Sequence, residues 1–337
     1  MDSKADANPV LVEVVRGDSS ESRHRGAACV AGVDGTIAAW GDIDAAIFPR
    51  SAVKPLQALP LVATGAADRY GLSASELAIA CGSHAGQPQH VHTVADWLAR
   101  IGCGPDALIC GPHPPLDGAA AREQWRQGAL PSRLHNNCSG KHAGFLTVAR
   151  RLGVPTEGYG APEHPVQRRV AATLAALAGI EPPVLTCAVD GCGVPTFALP
   201  LAALARAFAR FAAANGDGSD VPGAARIRAA MRSYPQFIAG PGRFDTEIIA
   251  AAAGLILVKA GAEGVACAAV PDRGLGIAVK IDDGAGRAAE ATMAALLLRF
   301  AGPTPAVTAL LRQYADAPLR NTEGRTVGAI RAVAGWP

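Results

Sequence analysis

Strand-forming sequence lies at both ends of this 337-residue chain, and helix-forming sequence lies between them. Near the start, Val10–Val15 and Ala27–Val33 are rich in β-branched and small apolar residues, which favour strands. Near the other end, Gly264–Val270 and Leu275–Ile281 are apolar runs separated by the turn sequence Pro-Asp-Arg-Gly. Because a strand needs neighbours to be stable, we expect the two ends of the chain to share one sheet.

The middle of the chain has the apolar periodicity of helices. Ser73 and Glu76 have the spacing of a capping box, which predicts a helix that begins after Ser73. Two later helices are predicted to close the chain after the last apolar strand. The predicted helices with the clearest period cover about 163–179, 199–214, 224–233, 244–254, 287–301 and 304–314.

A helical segment inserted into a sheet made from the two termini is an α+β arrangement. We therefore predict one two-lobed domain over residues 1–337. Its sheet lobe is expected at about 8–50 plus 255–337, and its helical lobe at about 51–254. Clefts between lobes are common places for functional sites.

Composition excludes several classes of protein. Half of the residues are hydrophobic and 18% are charged, so the chain can bury a core and is not disordered. The formal net charge is +2 without a basic run, so nothing favours binding to nucleic acid or to a membrane surface. The N-terminal MDSKADANPV is polar and unlike a signal peptide. We expect a soluble cytoplasmic protein whose eight cysteines are reduced.

A serine and a lysine three residues apart stand out in the apolar stretch PRSAVKPLQ. On a helical turn Ser51 and Lys54 would share a face. A neutral lysine can take the proton of a serine hydroxyl and so make the serine a nucleophile. An unperturbed lysine has a pKa of about 10.4, so this role needs burial or a second cation nearby. The alternative is an N-cap serine beside a surface lysine.

Two further segments carry a serine or a lysine in a suggestive setting. The stretch CGSHAG places Ser83 and His84 between glycines, which suits a tight turn that presents side chains, or an ordinary turn with no function. Lys259 follows the apolar run 255–258 at the end of a predicted strand. Such a lysine is usually solvated, but it could also be the second cation beside Lys54 or a second base.

The densest polar segment is HNNCSGKH, at 135–142. Cys138 and Lys141 are three residues apart in it, and Asp190 and Cys192 follow later in a glycine-rich stretch. A pair of cysteines at this spacing would indicate zinc, whereas lysine is a rare ligand that must first lose its proton. From spacing alone, a metal site and a set of buried free thiols both remain open.

Seven segments, taken in order, resemble the L-asparaginase family first described in rhizobia, the thermolabile asparaginase II type. The resemblance runs from about residue 10 to residue 279. It implies a fold similar to serine β-lactamases and penicillin-binding proteins, which agrees with the α+β arrangement. The segments are PRSAVKPLQALPL, CGSHAG, CGPHPP, HNNCSGKHAGF, DGCGVPTF, GRFDTE and VKAGAEG.

The resemblance also implies roles for ten residues. Ser51 matches the nucleophile of the family and Lys54 its paired lysine, while Ser83 and Lys259 match a second serine–lysine pair. Residues matching the zinc ligands are Cys138, Lys141 and Cys192, and the zinc is expected to orient the substrate. Polar residues expected to contact the substrate are Arg50, His142 and Asp190.

Two positions depart from the patterns of related enzymes. Gln87 stands where the family usually has a glutamate, which removes a charge near Ser83 and puts the affinity for amides in doubt. At 259–261 the sequence Lys-Ala-Gly lacks the hydroxyl residue of the corresponding strand in penicillin-recognising enzymes.

Together these features predict an enzyme that hydrolyses L-asparagine to L-aspartate and ammonia, with zinc as cofactor. A homodimer is expected from the family. Two alternatives come from other classes. A β-lactam-directed acyl enzyme fits the fold, but the expected cytoplasmic location argues against it. A non-enzymatic metal or redox sensor would use Cys138, Lys141 and Cys192 on an inert fold.

Overall fold

A computed structural model describes residues 8–181, 186–215, 221–333 and 335–336. In these ranges the chain forms one large antiparallel sheet, two short strand pairs and helices of very different lengths. The strands are β1 (Val10–Arg16), β2 (Ser19–Ala31), β3 (Thr36–Trp40), β4 (Ala46–Ile47), β5 (Cys187–Val189), β6 (Pro195–Phe197), β7 (Leu199–Pro200), β8 (Leu257–Gly261), β9 (Val265–Val270), β10 (Leu275–Ile281), β11 (Asp316–Arg320) and β12 (Thr326–Ala332).

The helices vary from single turns to four turns. A 3₁₀ turn at Arg50–Val53 directly precedes the first α-helix. The α-helices are α1 (Lys54–Gln57), α2 (Leu59–Ala63), α3 (Ala66–Arg69), α4 (Ala74–Ala80), α5 (Pro88–Arg100), α6 (Gly118–Arg126), α7 (Ser139–Leu152), α8 (Pro165–Ala178), α9 (Leu201–Ala213), α10 (Ala224–Ser233), α11 (Phe244–Ala251), α12 (Gly286–Phe300) and α13 (Pro305–Ala315).

One of two compact units contains the large sheet. It comprises the described residues of 1–52, 198–213 and 251–337. The strand order is β11-β12-β1-β2-β10-β9-β8, and β3 also pairs with β2. Neighbouring strands are antiparallel, so the two ends of the chain meet in one sheet and the predicted α+β class is confirmed. Strand β9 is buried along its whole length, which explains its continuous apolar sequence.

Helix α9 belongs to this sheet unit, whereas the predicted division assigned residues 199–214 to the helical lobe. The physical reason lies at Gly276 in β10. A Cβ at this position would collide with the carbonyl oxygen of Ala205, so glycine lets α9 pack directly on the sheet. The apolar face of α9 fits a sheet as well as it fits another helix, and its sequence therefore did not distinguish the two lobes.

The end of the chain also differs from the prediction. Helices α12 and α13 lie where they were expected, but they do not close the chain. Strands β11 and β12 follow them, and β12 pairs with β1 through registers such as Val14 with Ile330. Both strands are half exposed and contain Pro318 or Gly328, which weaken the strand signal in the sequence.

The second unit contains most of the helices and comprises the described residues of 53–197 and 214–250. Helix α4 begins with the predicted capping box, in which Ser73 Oγ accepts from the Glu76 amide and Glu76 Oε2 accepts from the Ser73 amide. Helices α5 and α7 are joined by a buried hydrogen bond from Trp97 Nε1 to Thr147 Oγ1, of 2.9 Å. Among the described helices of the chain, none has the length and apolar character needed to cross a membrane.

Candidate active site

Lys54 lies fully buried in the helical unit, at the start of α1. Its Nζ is 2.7 Å from the carbonyl oxygen of Gly82, 3.0 Å from Ser83 Oγ and 3.4 Å from the carbonyl oxygen of Asn137. The structure thus brings together two residues that the sequence separates by 29 positions. A buried amine in contact with a serine hydroxyl is an arrangement that can move a proton.

The turn that carries Ser83 is held by its backbone. The Ser83 amide donates to the Ile238 carbonyl at 2.7 Å. Gly82 is required because a Cβ there would collide with the Phe237 carbonyl oxygen. The backbone conformation of this turn is therefore fixed, and it holds Ser83 Oγ beside Lys54.

His84 connects this turn to the first turn of α7. The Gly86 amide donates to His84 Nδ1 at 3.2 Å, so the imidazole proton resides on Nε2. Nε2 lies 2.8 Å from Ser139 Oγ, which in turn donates to the Leu134 carbonyl at 3.0 Å. Burial lowers the pKa of His84 well below its usual value, so the ring stays neutral in this network. The sequence analysis gave His84 no role.

Helix α7 presents Lys141 and His142 from its first turn, directly after Cys138. Gly140 allows this placement, because a Cβ there would lie 2.5 Å from the Ile79 carbonyl oxygen of α4. Lys141 is buried, and its Nζ donates to Cys192 Sγ at 3.0 Å. The predicted metal-ligating residues on α7 and in the 190–193 segment are therefore neighbours.

Cys192 stands in the turn between β5 and β6. The Asp190 amide donates to the Val194 carbonyl at 2.8 Å, and Gly193 has a φ of 87°, in the left-handed region. Cys192 Sγ lies 3.9 Å from Asp190 Oδ2, and that side chain also accepts from the Gly191 amide at 2.8 Å. This turn places a thiol and a carboxylate side by side.

The two thiols form a hydrogen-bonded pair in which Cys138 holds the negative charge. The hydrogen bond from Cys192 lowers the pKa of Cys138 well below its usual value, with Lys54 and Lys141 contributing. The same hydrogen bond, together with burial, raises the pKa of Cys192. Burial alone would lower the pKa of Lys141, but the two cysteines outweigh burial and raise it. These shifts favour a thiolate at Cys138 beside a charged ammonium group on Lys141.

His142 and Tyr159 form a second buried pair. His142 Nδ1 lies 2.6 Å from Tyr159 Oη, and the Ile109 amide donates to the same oxygen at 3.0 Å. Burial lowers the pKa of His142 well below its usual value, and the charges of Lys141 and Lys54 act in the same direction. Both lysines are therefore close enough to affect the imidazole. Nothing in the sequence pointed to Tyr159.

The donor set at Cys138, Lys141 and Cys192 fits the zinc ion that the resemblance implies. Two sulfur atoms in mutual contact are ligands that suit zinc, and an amine lies beside one of them. A metal would replace the proton shared by the thiols and one proton of Lys141. Within the described part of the chain, no group of three His, Cys, Asp or Glu side chains could hold a metal, so a third ligand must be of another type.

The remaining predicted residues lie in the sheet unit. Arg50 has a φ of 51°, an uncommon conformation for a residue other than glycine, directly before Ser51. The Ala52 amide donates to the Pro49 carbonyl at 3.1 Å, which closes a tight turn around Ser51. A Cβ at Gly261 would lie 2.8 Å from the Pro49 carbonyl oxygen, so the end of β8 runs along this turn.

Lys259 precedes that close approach by two residues and is buried rather than solvated. Its Nζ donates to the Ala260 carbonyl at 2.7 Å, and it is paired across the strands with Cys267. The structure thus groups Arg50, Ser51 and Lys259 in one unit and the other seven predicted residues in the second. The pairings of Ser51 with Lys54 and of Ser83 with Lys259 stay predictions.

Gln87, the departure from the family pattern, is the N-cap residue of α5 in the helical unit. Its Nε2 donates to Asp117 Oδ2 at 3.2 Å. A glutamate at this position would face a carboxylate there, so the neutral amide suits the neighbour that this chain provides.

Comparison with known proteins gives one extended match. The family profile described as L-asparaginase II matches residues 12–332. Comparison with curated proteins finds no match. Overlapping solved structures include a β-lactamase from Mycobacterium bovis, with 18% identity and a TM-score of 0.41, over 86% of this chain and 94% of that chain. Another is Mglu in its native form, with 15% identity and a TM-score of 0.44, over 86% of this chain and 64% of Mglu. TM-scores and identities this low support no conclusion about the chemistry of this chain.

Proposed function

Because the chain belongs to the L-asparaginase II family, we propose that it hydrolyses the side-chain amide of L-asparagine to give L-aspartate and ammonia. The match over residues 12–332 is the observation that carries this proposal, since it includes every residue assigned a role here. The contact between Lys54 Nζ and Ser83 Oγ supports a serine–lysine mechanism within it.

In the proposed first half-reaction, Ser51 Oγ attacks the amide carbon and Lys54 takes the hydroxyl proton. The tetrahedral oxyanion needs hydrogen-bond donors, and the backbone amide of Ser51 is a suitable one. The carbon–nitrogen bond then breaks while Lys54 returns the proton to the leaving nitrogen, which departs as ammonia. An ester between Ser51 and the aspartyl group remains.

In the second half-reaction, water attacks the ester and its proton passes through Lys54 to Ser51 Oγ. The products are L-aspartate and free enzyme. Neutral Lys54 has two N–H donors and one lone pair. The carbonyl oxygens of Gly82 and Asn137 can accept from the two donors, which directs the lone pair to a serine hydroxyl. The contacts around Lys54 are therefore those that a neutral base needs.

We propose that Ser83 and Lys259 extend the proton path, and that the charge of Lys259 helps keep Lys54 neutral because two nearby ammonium groups repel each other. Arg50, His142 and Asp190 are proposed to bind the substrate, whose α-carboxylate and α-ammonium groups call for partners of both charges. Cytoplasmic location and a homodimer stay predictions.

The test of the proposed function is hydrolysis by the unmodified chain. Purified protein is incubated with L-asparagine at pH 9, and ammonia and L-aspartate are measured together. We expect equal amounts of both products, and a much lower rate with nitrocefin, a β-lactam. Failure to produce aspartate above the enzyme-free rate would contradict the proposal, and rapid nitrocefin hydrolysis would favour the β-lactam alternative.

For the metal, we propose that Cys138, Lys141 and Cys192 hold a zinc ion with a fourth position open. When bound, the ion would supply a positive charge that orients the substrate. Three protein ligands and one open position are typical of zinc sites that take part in binding or catalysis. The buried thiol pair and the adjacent amine supply these ligands without help from other described side chains.

Replacing Cys138 or Cys192 by serine is expected to abolish stoichiometric zinc binding, because serine is a far weaker zinc ligand than a thiolate. Elemental analysis of protein purified without chelator should find about one zinc per chain in the wild type. Cys187→Ser is the matched control, since Cys187 is exposed and five residues from Cys192. Equal zinc in all variants, or no zinc in the wild type, would refute the site.

A further inference from the structure

One ring nitrogen of His142 is buried, and the described part of the chain provides no hydrogen-bond partner for it. The side chain is fully buried in α7, and Nε2 has no hydrogen-bond partner among the described residues. Its other nitrogen, Nδ1, is satisfied by Tyr159 Oη at 2.6 Å. A buried polar atom without a partner is costly, so such an atom is expected to find its partner in a complex.

The hydrogen bonds around Tyr159 decide which nitrogen of His142 carries the proton. Tyr159 Oη accepts from the Ile109 amide at 3.0 Å. Burial raises the pKa of Tyr159, so the hydroxyl keeps its own proton and must donate it. Among the described residues, His142 Nδ1 is the acceptor within reach. Nδ1 therefore accepts, and the imidazole proton resides on Nε2.

Tyr159 is itself held firmly in place. Its side chain has no exposed surface, and its backbone carbonyl accepts from Gln167 Nε2 of α8 at 2.9 Å. The hydroxyl is thus held by the Ile109 amide, and the backbone of Tyr159 is held by α8. A rigid donor on Nδ1 fixes both the tautomer and the orientation of the ring, because the hydrogen bond at one ring nitrogen decides which nitrogen carries the proton.

We propose that Tyr159 is a positioning residue that keeps the proton of His142 on Nε2, where the N–H donates to an oxygen of bound asparagine. This rests on the proposed function for the identity of the ligand. Nε2 can act only as a donor in this tautomer, because a protonated ring nitrogen can neither ligate a metal nor accept from the substrate ammonium group. The carboxylate and the amide of asparagine both offer such oxygens.

The test combines a Tyr159→Phe variant with nitrogen NMR of His142. Phenylalanine keeps the ring and removes only the hydroxyl. In the wild type we expect the ¹⁵N shifts of a neutral ring protonated at Nε2. In the variant we expect a mixture of tautomers or the Nδ1–H form. The KM for asparagine should rise about 10-fold while kcat changes by less than about 2-fold, because a contact used for binding is lost.

Matched variants separate the hydroxyl from a loss of packing. Tyr234→Phe makes the same chemical change at a half-buried tyrosine of the same unit and should alter neither quantity. His142→Gln keeps a donor near the position of Nε2, whereas His142→Asn keeps one near Nδ1. Gln is therefore expected to retain more affinity for asparagine than Asn, even if Tyr159→Phe lowers the thermal stability.

The possible outcomes distinguish this inference from the proposed function. A wild-type ring protonated at Nδ1 would overturn the inference, as would Tyr159→Phe with an unchanged tautomer and unchanged KM. Better retention of affinity by Asn than by Gln would also overturn it. If the wild type hydrolyses no asparagine, the proposed function fails, while the NMR result still decides the tautomer.

Discussion

Replacing Ser51 by alanine is expected to lower ammonia release from L-asparagine at pH 9 by on the order of 10⁴-fold to 10⁶-fold. The reason is chemical, since alanine offers no oxygen to form the ester and the other groups have nothing to activate. Ser51 follows Arg50, which adopts a φ of 51°, and strained backbone of this kind clusters at functional positions. The measurement is the initial rate of wild type and variant side by side.

A matched serine-to-alanine change guards against general effects. Ser20 is exposed near the start of β2 in the same unit, so Ser20→Ala should keep the full rate. Circular dichroism must show that Ser51→Ala is folded. Mass spectrometry of rapidly quenched wild type should detect an aspartyl adduct on the peptide that contains Ser51. Equal rates for wild type and Ser51→Ala would show that another residue is the nucleophile. Ser83 would be the first residue to test.

The large-scale fold could be predicted from the sequence because its signals are local. The apolar runs at 10–15, 27–33, 264–270 and 275–281 became β1, β2, β9 and β10, since strand propensity and turn residues agree there. The position of α9 could not be predicted in this way. Its apolar face fits either unit, and the deciding contact with Gly276 joins residues about 70 positions apart.

The same distinction applies to the candidate site: residues in a conspicuous sequence segment could be predicted, whereas residues defined by contacts distant in sequence could not. Cys138, Lys141 and His142 stand in one unusually polar segment, so the sequence and the family resemblance both pointed to them. Tyr159 gave no such signal, and His84 stood in the CGSHAG segment without a role assigned to it. Their importance comes from hydrogen bonds to Ser139, 55 positions later, and to His142, 17 positions earlier. Sequence patterns and residue spacing do not reveal contacts of that kind, whereas the burial and the distances in the structure do.

Lys54→Met is expected to lower the rate by about 10²-fold to 10⁴-fold, the usual contribution of a general base. It should also remove the dependence of the rate on pH. A lysine must lose its proton to act as a base, so the wild-type rate should rise as the pH increases from 6 to 10. Methionine has a similar shape and no titrating group, so the residual rate should stay nearly flat. The measurement is kcat/KM across this range for both proteins.

The control for this change is another lysine that donates to two backbone carbonyls. Lys280 Nζ contacts the carbonyl oxygens of Glu263 at 2.7 Å and Ile281 at 2.6 Å, so Lys280→Met loses similar hydrogen bonds within the sheet unit. It is expected to keep both the rate and its rise with pH.

Lys54→Arg adds a second test, because arginine preserves the positive charge but stays protonated and cannot act as a base. If Lys54→Arg retains the rate, Lys54 contributes charge alone. If Lys54→Met retains the alkaline rise, the titrating base is another group, and the neutral amine inferred from the contacts with Gly82 and Asn137 is wrong.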